Sequence, residues 1–481
     1  MAIQLESAIA ANRFGLGARP GELERVGEGR DWLRRQLQGG APLLADATLN
    51  SSRQILEGAA ELADERQEMR RADRANAPTT PPPTDEATAQ RARQQQLAMR
   101  LPRYYRPIYV TEVRARLQNA VGTERPFAER LVHFWSNHFA VSVDKIAVLG
   151  LAGAMEREAI RPHVLGRFAD MLLAVEKHPA MLTYLDNQQS IGPNSPFASR
   201  AGGRGRELGL NENLAREILE LHTLGVAGGY TQADVTSLAR VITGWSVNGV
   251  RGGPLQRAGG PPGEFTFRPQ VHEPGVHTVL GKRYAQGDVR QGEAVLADLA
   301  ASPATAKHLA TKLARHFVAD DPSPTLVEKL AAAYVGSKGD LPTVYKVLID
   351  APLSWAVATP KYKTPQDYLL SLYRALELPV PQGQQALGAL EMLGQRAFAP
   401  GSPAGWPDRS ADWDGASALL KRIEYAQAVA QRVGNNRSAA VLAPQLLGPA
   451  LTEATKQGIA RAASGVQAMT LLLTSPEFMR R

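Results

Sequence analysis

The sequence predicts a mainly α fold, a large multi-helix globular domain with a minor β-hairpin element. Apolar residues recur at helical spacing over long segments, and several of these segments start with a hydroxyl residue followed by proline, a common helix start. Extended patterns are few. With 481 residues, of which 44% are hydrophobic, the chain is long enough to bury a sizeable core.

The strongest helix starts are Ser302-Pro303, Ser323-Pro324 and Thr364-Pro365, each with a hydroxyl N-cap before proline. Thr231 and Asp234 resemble a capping box for a helix over residues 232–243. Further helical patterns cover residues 20–38, 51–74, 104–119, 123–139, 150–160, 303–318, 325–335, 365–376, 383–394 and 416–433.

The β element is predicted near residues 265–284. Phe265–Phe267 and Val279-Leu280 have the composition of short strands or of a hairpin beside a loop. No other segment of the sequence gives a comparable extended pattern.

Composition divides the chain into three parts. Residues 1–75 are an N-terminal helical part, and residues 97–481 are the main helical domain, which we expect to form one fold unit with it. Between them, residues 76–96 are rich in Pro and Thr and then in Ala, Gln and Arg, which predicts a mobile low-complexity segment. Two further loops, 190–209 and 248–263, are rich in Gly, Pro and Arg, and loops of that length are often functional.

Composition also excludes several classes of protein. The chain has 0 cysteines, so disulfides, thiolate nucleophiles and Cys-ligated metals are excluded. Its net charge of +8 is spread along the chain, and aromatics are only 6%, which argues against nucleic-acid binding. No membrane-length apolar run and no signal peptide are visible, so a cytoplasmic location is the default expectation.

A first polar cluster lies on the predicted helix 123–139. Glu129, His133 and Asn137 are spaced by four residues and therefore share one helix face, whereas His138 points elsewhere. We interpret this cluster as a candidate catalytic site, with His133 and His138 as acid–base groups and Asn137 as a ligand-binding residue. The competing interpretation is a helix of hydrogen-bonded, structural histidines.

A second cluster follows the 190–209 loop. Asn213, Glu217 and Glu220 fall on one helix face, and carboxylates and an amide placed in this way can bind a hard cation or perform acid–base work. Glu217 and Glu220 are candidate catalytic residues, and Asn213, Arg216 and His222 are candidate ligand-binding residues. The competing interpretation is an exposed face with an ordinary Arg216–Glu220 ion pair.

A third cluster, His272-Glu273-Pro-Gly-Val-His277, is placed on a loop by its proline and glycine. Two histidines and a glutamate this close could contact a metal or a phosphate, whereas single exposed histidines are the competing interpretation. A divalent metal ion held by Glu217, His272 and Glu273 is therefore one hypothesis. Trp245, in the preceding segment, is a further candidate for ligand binding.

Several segments, taken in order, resemble a bacterial family known as domain of unknown function 1800. The resemblance covers nearly the whole chain, and the block 211–245 is the most specific part of it. The matching segments are 12–17, 134–139, 178–187, 211–225, 228–231, 238–245, 312–317 and 361–365.

The resemblance implies a helical protein whose activity is not established. Members are often encoded beside an uncharacterised protein similar to the alkaline-phosphatase/sulfatase superfamily, which implies such a protein as a partner and co-export as a possible route. The family-like pattern at the third cluster has a lysine where this chain has His277. The resemblance therefore gives no support to His277 as an obligatory ligand.

From these residues we hypothesise a hydrolase that uses metal-assisted or carboxylate acid–base chemistry at a centre rich in His, Glu and Asn. A non-catalytic partner or scaffold for the alkaline-phosphatase/sulfatase-like protein is the alternative, with the same residues forming a buried polar network. A weaker third hypothesis is an anion binder that uses Arg200, Arg204 and Arg206.

Overall fold

The computed structural model describes residues 5–75, 99–201, 209–249, 260–357 and 361–481. Within these ranges the chain forms 23 α-helices, so the predicted mainly α fold is confirmed. The predicted mobile segment 76–96 lies outside the described ranges.

The first twelve helices run from the N-terminal part to the middle of the chain. They are α1 Leu5–Ile9, α2 Glu22–Val26, α3 Gly29–Gln36, α4 Ser52–Ala75, α5 Arg100–Gly122, α6 Pro126–His138, α7 Ala152–Met155, α8 Phe168–Glu176, α9 Pro179–Tyr184, α10 Pro196–Ala201, α11 Asn213–Glu217 and α12 Gln232–Val241.

The remaining eleven helices form the C-terminal half. They are α13 Val289–Ala301, α14 Pro303–Phe317, α15 Pro324–Gly336, α16 Leu341–Asp350, α17 Pro365–Ala375, α18 Gln384–Leu393, α19 Ala416–Val433, α20 Ala439–Leu447, α21 Glu453–Ala460, α22 Gly465–Leu473 and α23 Pro476–Met479.

Capping explains where several of these helices start. The Thr231 hydroxyl accepts a hydrogen bond from the Asp234 amide, and the Asp234 carboxylate accepts one from the Thr231 amide, so the predicted capping box of α12 is present. Ser302 and Thr364 cap α14 and α17 in the predicted way. Ser323 precedes α15 without a side-chain capping bond.

The β structure consists of two small antiparallel pairs in the described residues. Strand β1 (Trp245–Val247) pairs with β2 (Phe265–Phe267), and β3 (His277–Val279) forms a hairpin with β4 (Lys282–Tyr284). The minor β element is confirmed, although the two predicted extended segments pair with other strands and not with each other.

One hydrophobic core runs through the described residues from Ala8 to Met479. The N-terminal part is tied to the C-terminal half by buried polar bonds, because Arg13 donates to the Ser354 carbonyl (2.8 Å) and Arg374 donates to both carboxylate oxygens of Glu22 (3.0 Å each). No helix in the described ranges is both long enough and apolar enough to cross a membrane.

Candidate functional site

A cleft lies between α5, α6, α14, α17 and the loops 395–400 and 406–408. Three of the family-like segments reach it, namely 134–139, 312–317 and 361–365. Its polar lining includes Arg116, His133, Asn137, His316, Gln366 and Asp408.

Asn137 fixes one wall of the cleft. Its amide nitrogen donates to the Trp406 carbonyl (2.9 Å), and its side-chain oxygen accepts from the Trp406 amide (2.7 Å). Gly405, with φ +85°, lies so close that a Cβ there would be 2.3 Å from the Asn137 carbonyl oxygen. Asn137 therefore holds the 405–408 loop against α6, which is a positioning role.

His133 lines the cleft and lies next to a buried network of ion pairs. Its Nε2 lies 3.5 Å from Glu129, as the shared helix face predicted, and its Nδ1 lies 3.2 Å from the Gln366 amide. Arg161 donates to both Glu129 (2.7 Å) and Glu156 (2.8 Å). Burial, together with the Arg116 guanidinium, lowers the pKa of His133, although the two carboxylates partly oppose this.

His316 and Asp408 form an Asp–His pair in the cleft. The Nδ1 atom of His316 lies 3.6 Å from the Asp408 carboxylate, and its Nε2 is buried without a hydrogen-bond partner among the described residues. Burial, with Arg481 and Arg130 nearby, lowers the pKa of His316 to about 4. The imidazole is therefore neutral near pH 7 and can accept a proton.

His138 lies in a different environment, inside the aromatic core. It is 1% exposed, its Nε2 donates to the His222 carbonyl (3.1 Å), and its ring packs 4.5 Å from that of Phe139. His222 Nδ1 donates to Glu176 (2.8 Å), and both of these side chains are fully buried. These contacts match the structural interpretation of His138, with His222 in the same buried network.

The side chains of the second predicted cluster do not share one regular helix face. The helix α11 ends at Glu217 and continues as a π turn over Ile218–His222, which rotates the later side chains away from ideal four-residue spacing. Arg216 pairs with Glu212 (3.3 Å), and Glu220 accepts from Tyr230 (3.0 Å). The expected Arg216–Glu220 pair is therefore wrong.

Glu217 is half-buried, and Asn213 is exposed at the start of α11. Burial raises the pKa of Glu217, His222 partly opposes the rise and the Glu220 carboxylate adds to it. The structure thus places Glu217 near His222, on the side of the molecule that carries the His138 network.

The third cluster is buried, so the alternative of exposed histidines is wrong for His272 and His277. His272 Nδ1 donates to the Thr243 carbonyl (2.9 Å), and the Glu273 carboxylate accepts from the amide (2.8 Å) and side chain (2.6 Å) of Asn194. These bonds hold the loop to its neighbours. Both Glu273 oxygens are taken up by Asn194, whereas the Nε2 atom of His272 has no hydrogen-bond partner among the described residues.

Trp245 is fully buried in β1, where Lys177 lies 5.5 Å from its ring centre. It fills the core and does not line the cleft. Arg200 is exposed near the end of α10, while Arg204 and Arg206, the other two residues of the predicted anion site, lie outside the described residues.

The predicted metal set is not assembled. Within the described ranges, which include Glu217, His272 and Glu273, no three or more His, Asp or Glu side chains are grouped so that they could hold a metal ion. Glu273 is instead bound through both carboxylate oxygens by Asn194.

Sequence reasoning found His133 and Asn137 but missed His316, Asp408 and Gln366. His316 lies within the family-like segment 312–317, which was the available signal. Asp408 lies in a loop without a recognisable motif, and it reaches His316 only through the fold.

These features define a large, mainly helical protein with a polar cleft between its two halves. The chain belongs to the DUF1800 family, whose members are described as proteins of unknown function and whose family model matches residues 9–480. The family suggested by the sequence is thereby confirmed. Searches of curated proteins and of solved structures returned no match.

Proposed function

We propose that the protein is a hydrolase that works by acid–base catalysis in the cleft, with His316 as the general base. The observation that carries this proposal is the His316–Asp408 pair, because a carboxylate beside one imidazole nitrogen orients the ring and leaves the other nitrogen for proton transfer. Side chains alone perform this chemistry.

In the proposed reaction, His316 Nε2 takes a proton from a water molecule as the water oxygen bonds to the electrophilic atom of an ester or amide. The imidazolium that forms is stabilised by the Asp408 carboxylate. His316 then gives the same proton to the leaving group as its bond breaks. Atoms and charges balance, and His316 returns to its neutral form.

The cleft walls have supporting roles. Asn137 positions the loop that carries Asp408, because it bonds to both backbone groups of Trp406. Arg116 donates to Gln366 (2.7 Å) and to Glu156 (2.6 Å), which fixes the side of the cleft next to His133. These are positioning residues in the proposal.

The test is a hydrolysis assay of the purified protein with 4-nitrophenyl acetate, phosphate and sulfate. We expect turnover of at least one substrate class, a loss of about 100-fold or more in kcat for His316→Gln, and a smaller loss with a changed pH profile for Asp408→Asn. Asp412→Asn, an exposed change in the same part of the chain, is the matched control and should retain activity. Equal activity in His316→Gln and wild type would overturn the proposal.

A second proposal is the scaffold function, in which the protein binds an alkaline-phosphatase/sulfatase-like partner without performing catalysis. It is favoured by the burial of His138, His222 and His272, whose rings donate to the His222 carbonyl, to Glu176 and to the Thr243 carbonyl and so have structural contacts. Co-expression of both chains tests it. A complex that persists in His316→Gln, together with absence of hydrolysis by wild type, would favour the scaffold.

A further inference from the structure

A group of buried cations lies just behind the cleft, around the carboxylate of Asp367. Its members are each at most 7% exposed. They are Arg13, Arg130, Lys363, Arg422 and Arg481.

The single negative charge of Asp367 does not balance the positive charges of this group. Arg130 donates to its carboxylate (3.1 Å), and Arg481 Nε lies 3.3 Å from the same oxygen. Two further carboxylates are close enough to act electrostatically, Asp408 on Arg481 and Asp414 on Arg422. The cations still outnumber the carboxylates.

Several donors of the group have no partner among the described residues. They are Nη2 of Arg130, Nη1 of Arg481, Nη1 of Arg422 and Nε of Arg13. Within the described residues the Lys363 ammonium group lies 4.5 Å from the centre of the Phe478 ring and makes no ion pair. Buried donors and charges without partners are costly, so such a group favours a bound anion.

The electrostatic effects agree with a shortage of negative charge. Burial, together with Arg130, Arg481 and Arg422, lowers the pKa of Lys363 to about 7, although Asp367 opposes this. Burial and Arg130 lower the pKa of Arg481 to about 9, with Asp367 opposing. A bound anion would raise both pKa values towards their ordinary range.

The group is connected to the cleft. Asp367 and His316 both line the cleft, and Asp367 contacts Arg130 and Arg481 on its other side. The Nε2 atom of His316 has no hydrogen-bond partner among the described residues, and it can donate to an anion when the imidazole is protonated.

We propose that this buried cation group is a binding site for a tetrahedral oxyanion, a phosphate or sulfate group, that enters through the cleft. The several oxygens of an oxyanion can accept hydrogen bonds from donors that come from different directions. Guanidinium groups bind such oxygens with planar, bidentate geometry. The proposal concerns binding alone and does not depend on hydrolysis in the cleft.

The test compares inorganic phosphate, sulfate and chloride at equal ionic strength on the wild-type protein. We expect phosphate or sulfate to raise the melting temperature in a saturable way and chloride to have little effect, because a ligand that binds the folded state stabilises it. In parallel, NMR should show the pKa of His316 rising from about 4 when the anion is bound.

Lys363→Met removes one charge while keeping the volume of the side chain and should weaken phosphate binding by about tenfold or more. Arg481→Met serves as a second variant, and Lys307→Met, an exposed change on α14, is the control that should bind as wild type does.

Phenyl phosphate tests the source of the anion. Competition with inorganic phosphate indicates the anionic group of an ester, and binding of inorganic phosphate alone indicates a free anion.

The proposal is overturned if phosphate and sulfate stabilise the protein no more than chloride does, or if Lys363→Met and Arg481→Met both bind phosphate as wild type does. The wild-type melting and His316 titration experiments decide the question even if a variant does not fold.

Discussion

The partly buried Glu158 carboxylate is stabilised by specific partners. It accepts from the hydroxyl (2.6 Å) and amide (2.8 Å) of Ser52 and lies 3.1 Å from His178 Nε2. Burial alone would raise the pKa of Glu158, but these hydrogen bonds outweigh it and lower the pKa to about 2. The ionised carboxylate therefore stabilises the folded chain.

Glu158→Gln should lower the free energy of unfolding at pH 7 by about 1–3 kcal/mol. Because the folded-state pKa is below the ordinary value, the contribution is fully present above pH 4.5 and is lost as the pH falls towards 2. Chemical denaturation at several pH values should thus show the wild-type advantage shrinking over this range. An advantage that stays constant with pH would contradict this account, and Glu424→Gln, an exposed change, is the control.

At the scale of helices, the pattern of apolar residues predicts elements well where a cap and a clear period occur together. The predicted segments 303–318, 365–376 and 416–433 correspond closely to α14, α17 and α19. The short helix α8 has no comparable signal, because it has no side-chain cap and is largely apolar.

The candidate site was predictable only in part for a related reason. Glu129, His133 and Asn137 lie on one helix, so their spacing places them together without knowledge of the fold. His316 and Asp408 meet only because α14 and the loop 406–408 approach each other in space. The sequence likewise gives no signal for the π turn after α11. Arg216 pairs with Glu212 there, and the expected Arg216–Glu220 pair does not form.

Helix α14 allows a direct test of core packing. Leu313 is 1% exposed on its inner face, as the apolar period predicted, so Leu313→Ala should cost about 2–4 kcal/mol through lost burial and a cavity. Val335→Ala on α15, at a side chain that is 49% exposed, is the control and should cost under about 0.5 kcal/mol. Equal costs in denaturant titrations would show that α14 does not pack as described.

For the whole molecule, the continuous core predicts that residues 5–75 and the C-terminal half unfold together. The Glu22–Arg374 ion pair joins them, with Arg374 only 1% exposed. Glu22→Ala leaves that guanidinium with backbone carbonyls but without its carboxylate partner and should lower stability by about 3–5 kcal/mol. Calorimetry of Glu22→Ala should show a single transition at a lower melting temperature. The control Glu24→Ala, a change at an exposed residue, should leave the melting temperature unchanged. Two separate transitions would argue for independent units.

The central claim is that the working centre lies in the cleft at His316 and not at Glu217, one of the four catalytic residues that the sequence predicted. The most direct measurement is kcat for His316→Gln and Glu217→Gln on whichever substrate the wild-type protein hydrolyses. We expect a loss of about 100-fold or more for His316→Gln and less than about threefold for Glu217→Gln. The reverse order would contradict the account and return the catalytic role to the Glu217 face.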